Sequence, residues 1–529
     1  MDITRQVFGI DLGTTYSCVA QVDEFDRPVV QKNFNGQNTT PSVVYFETDS
    51  KVIVGEEAKE MMKVEPERTV AFIKRHISTD EAYEKPTKFP AGTDPTQISA
   101  YILKKIVKDA NDAAQNPDPV KKVVITCPAY FGTKERLRTK QAGEIAGLEV
   151  LGVINEPTAA AIAYGMKLED NKTVLVYDLG GGTFDVTVIR VSDKTISVVA
   201  TDGNHHLGGY DWDKALAQHL LSLFNKEHST EYTMENNVAL ANLLMLIAEE
   251  KKKTLTGRDR VNVVIDYEGK SLRTTITRQM FELLTKSQLE ETIEKTREVI
   301  EIAKSKNINN IDEVLLVGGS SRMPQIKTRV DKELKCDAKL TDPDECVAKG
   351  AAIYALNEYF SKAMEDYAEG KIDEKPKNII QKSQVRVINV TSKNYGTDYM
   401  DDNGKDMIKQ LIFANTPLNN CRGEDHFVTR HDNQASVSMK VYESDVTEKT
   451  TIDPSAAVLL VGDKSLQLTK NWPKGTPVKV VFEVDTEGIL HVHAKVDVDV
   501  LEFELKLKGV KTPEEMKNAI AKTGRTTVE

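Results

Sequence analysis

Cysteine is scarce in this 529-residue chain. There are five, Cys18, Cys127, Cys336, Cys346 and Cys421, an odd number with no CxxC pair among them. Neither a disulfide framework nor a zinc site is expected; buried free thiols in a reducing compartment are. Positive charge is also in deficit. Lys and Arg number 70 against 81 Asp and Glu, a net charge of −11, which argues against nucleic acid or an anionic membrane as the main partner. No apolar run reaches membrane-spanning length, and the opening residues, MDITRQVFGID, contain no apolar leader region. Neither a membrane span nor a secretory signal is expected, and a cytoplasmic location is the default. What remains is an ordinary globular composition, 40% hydrophobic and 29% charged, with length for about three to four compact units.

The most informative stretch is Val174 to Arg190, VLVYDLGGGTFDVTVIR. The run Val174–Tyr177 reads as a buried strand that carries Asp178 to its end. Gly180, Gly181 and Gly182 form a tip without Cβ atoms, and Asp185 with Val186–Val188 starts the return strand. Such a tip lets backbone N–H groups approach an anion, and carboxylates beside it can hold Mg²⁺, usually through water. An ordinary tight hairpin is the simpler alternative. Near the start, VFGIDLGTTYSCVAQV repeats the design, with Asp11 at the strand end, Gly13 in the turn, and Thr14 and Thr15 after it. The self-similarity predicts two related α/β halves whose hairpins clamp a polyphosphate from both sides.

Between and beyond the hairpins, strands alternate with helices up to about residue 360, as in an α/β protein of two lobes. Helices are expected at Ala58–Lys63 and Thr69–Arg75. In the latter, Lys74 and Arg75 form either a solvated face or a cation placed at a phosphate. Pro95–Ala114, Thr133–Ala146 and Val238–Leu255 also read as helices. Glu156 stands at a strand-to-helix junction, where sites of α/β folds often lie. His205 and His206 lack metal-ligand spacing and read as loop histidines. Gly318-Gly319-Ser320-Ser321-Arg322 joins a buried strand to a helix, a third anion-compatible turn that could equally floor a nucleoside. After a charged linker the grammar changes to alternating segments: Val385–Val390, Leu411–Phe413, Asp425–Arg430, Ser436–Tyr442, Val478–Val484, Ile489–Ala494 and Leu501–Leu507. These predict an all-β sandwich. Thr512–Lys522 reads as a short capped helix with Glu515 completing the cap. The division expected is a two-lobed α/β domain over 1–362, a linker over 363–384, a sandwich over 385–510 and a tail over 511–529.

Taken together, IDLGTT, Lys74-Arg75, CPAYF, NEPTAAAIAYG, YDLGGGTFDVTVI, LGGYDWD, VGGSSRMPQI and DPDE resemble the Hsp70 molecular chaperones. LIFANTPLNN, HDNQASVSMKVYE and FEVDTEGILHVHAKV extend the resemblance into the β region. It implies a two-lobed actin-like ATPase domain, with duplicated ribonuclease-H-like halves, followed by a peptide-binding β-sandwich. It also implies ATP/ADP and Mg²⁺ as cofactors, unfolded or partly folded polypeptides as substrates, and J-domain and nucleotide-exchange partners. Asp11 and Asp178 would hold hydrated Mg²⁺. Gly13, Thr14, Thr15, Tyr16, Gly180, Gly181, Gly182 and Thr183 would surround the phosphates. Lys74 would reach the γ-phosphate, with Glu156 and Asp185 ordering the metal shell and water. Gly208, Gly209, Glu249, Lys252, Lys253 and Thr256 would contact the nucleotide, with Gly318, Gly319, Ser320, Arg322 and Asp344 near the adenosine. Pro128 and Arg136 match positions that relay nucleotide state. Met400, Phe427, Val437 and Met439 match the apolar lining of the peptide cleft, or else are sandwich core.

Several residues depart from the family pattern. The linker reads VRVIN, with Arg386 in an apolar slot. Arg430 stands where a small residue is usual, Thr397 replaces an aliphatic, His205 replaces a threonine, and Lys253 stands where arginine is common. The residues after Lys511 are too few for the family's helical lid, so a lidless chaperone with fast peptide release is expected. The altered linker and Arg430 motivate the alternative of an ATP-switched adaptor for one dedicated partner. A small-molecule kinase on the same fold fits less well with an attached sandwich.

Overall fold

The computed structural model describes residues 6–79, 90, 93–115, 118–165, 171–192, 195–376, 386–401, 403–446, 449–497, 499–504 and 510–529. Val385, linker residues 377–384 and the end of the strand expected at Leu501–Leu507 lie outside that set. Two six-stranded sheets of one design make up the α/β part. In the first lobe, Val7–Asp11 runs antiparallel to Tyr16–Val22 and parallel to Lys122–Cys127. In the second, Lys172–Leu179 runs antiparallel to Phe184–Ser192 and parallel to Glu313–Val317. The sequence repeat is therefore a repeat of topology. Both central strands are covered on both faces, which is why they read as apolar runs rather than alternation.

Helices Glu156–Gly165 and Cys346–Ala368 fill the space between the sheets, and both lobes contribute to one core around Val7, Cys18, Val174, Val176, Ala159 and Ala351. Small residues allow the approach. A Cβ on Gly350 would fall 1.7 Å from the Ala159 carbonyl oxygen. The second helix runs to Ala368, into the linker expected over 363–384. The helix expected over Thr69–Arg75 does not form. Thr69–Val70 is a strand paired with Val44 and Tyr45, Phe72 adopts a left-handed backbone at φ 60°, and only Ile73–His76 turns, as a 3-10 helix. β-branched residues suit the strand, and a left-handed residue interrupts any helix across it.

The β region packs a five-stranded sheet against a four-stranded one. Tyr395, Ile412 and Val441 from the first meet Phe482, Leu490 and Val492 from the second. Leu490–Val496 alternates buried and half-exposed residues along most of its length, the pattern expected of a half-buried strand. Two of its strands carry no such signal in the sequence. Asn394–Met400 buries polar side chains: Asn394 Nδ2 donates to the Ser444 carbonyl at 3.0 Å and Thr397 Oγ1 to that of Lys440 at 2.8 Å. Val458–Trp472 leaves Val458 and Leu459 exposed.

The sandwich is docked on the α/β part. Arg386–Ile388, expected with the sandwich, instead pairs in parallel with the strand Thr195–Asn204 and completes the edge of the second-lobe sheet, Ile196 opposite Val387. Val387 packs on the interlobe core while Arg386 is exposed. The Asn415 side chain accepts from the Thr201 amide at 2.8 Å, and Lys306 Nζ donates to the carbonyls of Val199 (2.6 Å) and Asn415 (2.7 Å). On the first-lobe side, Ser392 Oγ donates to the Phe131 carbonyl at 2.8 Å. Thr133 Oγ1 lies 3.1 Å from the Tyr395 hydroxyl and 3.1 Å from the Gly488 carbonyl.

After the sandwich the chain returns to the first lobe. Helix Pro513–Arg525 starts at a capping box between Thr512 and Glu515 and packs on helices Pro95–Ala114 and Thr133–Ile145, with Ala519 against Ala100 and Ile145. Lys511 pairs with Asp94, Gln97 bonds Thr523, and Lys104 Nζ donates to the Thr523 carbonyl at 2.8 Å. Thr527–Val528 then adds a parallel strand beside Lys51–Val54, with Val528 buried. Among the described residues, no helix is long and apolar enough to cross a membrane.

Candidate functional site

The two hairpin tips face each other at the bottom of the cleft between the lobes. A Cβ on Gly181 would lie 2.0 Å from Thr15 Oγ1, and one on Gly182 would lie 2.3 Å from Thr14 Cγ2. Glycine is therefore required at both positions for the tips to meet. In the second hairpin Asp178 is directly opposite Asp185, and the Gly180 amide donates to the Thr183 carbonyl at 3.1 Å to close the turn. Helix Gly209–His228 starts against this tip: the Gly209 and Tyr210 amides donate to the carbonyls of Gly180 (3.0 Å) and Gly181 (2.7 Å). Gly208 is pressed so closely on Gly182 that a Cβ there would fall 2.5 Å from its backbone.

A cavity of about 470 Å³ opens above the tips. Its walls bring together Asp11, Gly13, Thr14, Thr15, Tyr16, Lys74, Glu156, Asp178, Gly180, Gly181 and Thr183. Glu249, Lys252, Lys253, Thr256, Gly318, Gly319, Ser320, Arg322 and Asp344 form the rest of the predicted set there. Gly182, Asp185, Gly208 and Gly209 stand just behind this wall. Gly318 has a left-handed φ of 79° and touches Asp178: a Cβ on it would sit 2.5 Å from Asp178 Oδ1. Arg322 Nη2 donates to Asp344 Oδ2 at 2.6 Å across the rim.

Lys74 does not lie on a solvated face. It is buried and ion-paired with Glu156. Burial disfavours its charge, but Glu156 and Asp11 hold the ammonium, so its pKa is raised. Four carboxyl groups share this enclosure. Burial, then repulsion from Glu156 and Asp11, raises Asp178; burial, then Glu156 and Asp178, raises Asp185; burial, then Glu156, raises Asp11. One ammonium does not neutralise that group, so the site has the character of a cation and polyanion receptor. Asp185 is fixed by the Ala129 amide at 2.8 Å, and Thr126 Oγ1 donates to Asp11 at 3.3 Å.

At the mouth, Glu249 joins the lobes through Lys59 (2.7 Å) and Lys253 (2.6 Å), and Lys253 lies 4.8 Å from the centre of the Tyr16 ring. Burial would raise the Glu249 carboxyl, but the two lysines hold it down to about 2. Lys252 is buried, donating to Asp213 (2.7 Å) and to the Gly209 carbonyl (2.9 Å). Sequence reasoning missed Asp213, although it lies within LGGYDWD, and it missed Lys59, for which no local signal exists. The sequence leaves Arg75 open between a solvated face and a cation placed at a phosphate. It crosses the cleft to the Gly182 carbonyl at 2.7 Å and to Asp211.

The segment after Pro128 links this cleft to the sandwich. Its Ala129 amide holds Asp185, and its Phe131 carbonyl accepts from Ser392 and from Arg136 Nε at 3.1 Å. His205 packs 4.0 Å from the Tyr130 ring centre, and burial, with Lys393 nearby, depresses its pKa to about 3. The four residues proposed to line a peptide cleft are dispersed in burial. Met439 is buried in the sandwich core, Phe427 and Val437 are half-buried against it, and Met400 is 42% exposed.

Paired hairpins, a buried lysine among carboxylates and a nucleoside-sized cavity define an ATP-hydrolysing domain of the two-lobed actin-like class, here carrying a β-sandwich. Comparison with known proteins places the chain more narrowly. The family described as "Hsp70 protein" matches residues 7–524, and the chain belongs to the Hsp70 family. It is 38% identical over 500 residues to "Chaperone protein DnaK" of Thermosipho africanus, covering 92% of this chain and 77% of that one. It is 36% identical over 503 residues to the protein of that name in Halobacterium salinarum, covering 93% and 73%.

Proposed function

We propose that this protein is an ATP-dependent molecular chaperone whose ATPase cycle controls peptide binding by the docked sandwich. The observation that carries this reading is the continuous chain of contacts from Asp185 through Ala129 and Phe131 to Ser392. One end of that chain is the phosphate site and the other is the sandwich.

In the cleft, backbone amides of the two tips with Thr14, Thr15 and Thr183 receive the phosphates. Lys74, held charged by Glu156 and Asp11, offsets negative charge that develops on the transferring phosphoryl group. Asp185, oriented by the Ala129 amide, holds the attacking water. Phosphoryl transfer to water needs little covalent work from the protein, so positioning and electrostatics suffice. Asp11 and Asp178 fit Mg²⁺ held through water, because their crowded carboxyls gain most from a neighbouring dication. When bound, Mg²⁺ neutralises phosphate charge. Lys253 and Arg322 with the Gly318–Gly319 floor flank the nucleoside.

The docked sandwich is the arrangement that ATP favours, and hydrolysis releases it. Arg386 does not obstruct linker docking, because it is exposed while Val387 faces the core. That removes the linker as support for the adaptor alternative. Within these residues the segment after the sandwich acts as a clasp on the first lobe rather than as a cover over the cleft. Unfolded polypeptides are the substrates, a J-domain protein and an exchange factor are the partners, and the setting is cytoplasmic, in keeping with five free thiols. The test is nucleotide-dependent release of a fluorescent unfolded peptide. Release that ATP accelerates supports the reading, and release indifferent to ATP contradicts it.

A further inference from the structure

One carboxyl oxygen is enclosed at the interface between the two parts without a hydrogen-bond partner. Glu443 lies near the end of the strand Gln434–Ser444. Its side chain leaves the sandwich and meets the start of helix Thr133–Ile145. A Cβ on Gly132 would fall 2.6 Å from Glu443 Oε2. Gly132 is the N-cap of that helix, where no side chain provides a cap. Although the residue as a whole is half-buried, Oε2 is fully enclosed and makes no hydrogen bond. A buried carboxylate oxygen with no partner disfavours the charged form.

We propose that docking of the sandwich onto the ATPase domain takes up a proton at Glu443, so that acidification strengthens docking. The proposal rests on the docked arrangement described above. The charged and titratable groups facing this carboxyl come from every element packed on it. The helix supplies Lys134, Glu135 and Arg136. The segment entering the sandwich supplies Lys393 and Tyr395, and Asp445 follows on the same strand end. Lys393 is already engaged by Asp445 at 2.6 Å. Burial, then the Glu135 carboxylate, pushes the Glu443 carboxyl up to about 8, with Lys393 and Lys134 opposing in part. Behind Lys393, His205 is held neutral down to about 3 by its burial, so it does not titrate in the same range.

With the domains apart, Glu443 faces solvent and returns to the ordinary glutamate range, near about 4.3. The docked form then holds the extra proton between those two values. Docking is insensitive to pH above about 8 and gains as pH falls below it. The gain approaches tenfold per pH unit, is about fivefold between pH 8 and pH 7, and levels off below the ordinary carboxylate value.

The experiment uses the full chain with saturating ATP and a dye pair, one dye on the second lobe and one on the sandwich. Docked fraction is read by energy transfer from pH 6 to pH 9 at constant ionic strength. The expected result is docking that strengthens about fivefold from pH 8 to pH 7. Glu443→Gln should remain docked to the acid-limit extent at every pH. Glu135→Gln should shift the profile to lower pH without abolishing it, a displacement that loss of packing alone would not produce. Docking of Glu443→Gln with the unaltered pH profile overturns the proposal, as does docking that weakens on acidification. Docking independent of pH overturns the proton linkage alone. Absence of docking at any pH overturns the docked reading with it.

Discussion

The nucleotide cleft and the sandwich interface are joined by one short segment, Pro128 to Thr133, yet they are built from different materials. The cleft gathers charged side chains, Asp11, Lys74, Glu156, Asp178 and Asp185, around side-chain-free glycine tips. The interface rests mainly on neutral side chains and backbone groups, Thr133 with Tyr395 and Gly488, Ser392 with Phe131 and Asn415 with the Thr201 amide, joined by Lys306 on the Val199 and Asn415 carbonyls and by the peripheral Lys140–Glu487 pair. Charge at high density supplies transition-state stabilisation, which must be strong and fixed. Neutral hydrogen bonds net about 0.5–1.5 kcal/mol each, which suits contacts that form and break in the proposed cycle. Among the groups at the interface, Glu443 is the one whose enclosed carboxyl oxygen lacks a hydrogen bond, and it is the group we propose to respond to pH.

Substitutions should separate the two regions. The largest effect is expected in the cleft. Lys74→Ala should slow single-turnover ATP hydrolysis by about 10²–10³-fold while a fluorescent nucleotide still binds and the sandwich still docks. Retained turnover would remove the lysine from the chemistry. Next is Asn415→Ala, which leaves the Thr201 amide enclosed without an acceptor at a cost of about 1–3 kcal/mol. Energy transfer between the domains should report docking weakened about fivefold or more, with hydrolysis by the cleft intact. A parallel loss of hydrolysis would mean that the two regions are not separable.

The clasp is smaller in effect. Val528→Ala removes two buried carbons, about 1.6 kcal/mol at about 0.8 kcal/mol each. Amides of Lys51–Val54 should exchange faster, with little change at Arg386–Ile388. The smallest effect belongs to Arg386→Val. Its side chain is exposed, so docking should change by no more than about 0.5 kcal/mol. A larger gain would show that the arginine opposes docking after all.

The same contrast explains what the sequence disclosed. The cleft was legible because its chemistry restricts residue type: glycines where the tips meet Thr14 and Thr15, acids at strand ends, and a duplicated pattern. The strand-by-strand duplication followed from that. Lys74 could be named, although its local fold was misread as helix because Phe72's left-handed turn leaves no mark in the pattern. The interface was hardly legible. Asn415, Thr133 and Ser392 are unremarkable as residue types, and their partners are backbone groups: the Thr201 amide and the Gly488 and Phe131 carbonyls. Asn394–Met400 was missed because two of its buried side chains, Asn394 and Thr397, are polar and interrupt the apolar alternation. Arg386–Ile388 was correctly seen as strand-forming but assigned to the sandwich, since alternation does not say which sheet a strand will join.

The central claim is that nucleotide in the cleft governs docking of the linker strand. Hydrogen exchange of the Arg386–Ile388 amides in the Lys74→Ala protein, with ATP or with ADP, tests it most directly. Strong protection with ATP and fast exchange with ADP is the predicted result. Equal exchange in the two states would contradict it.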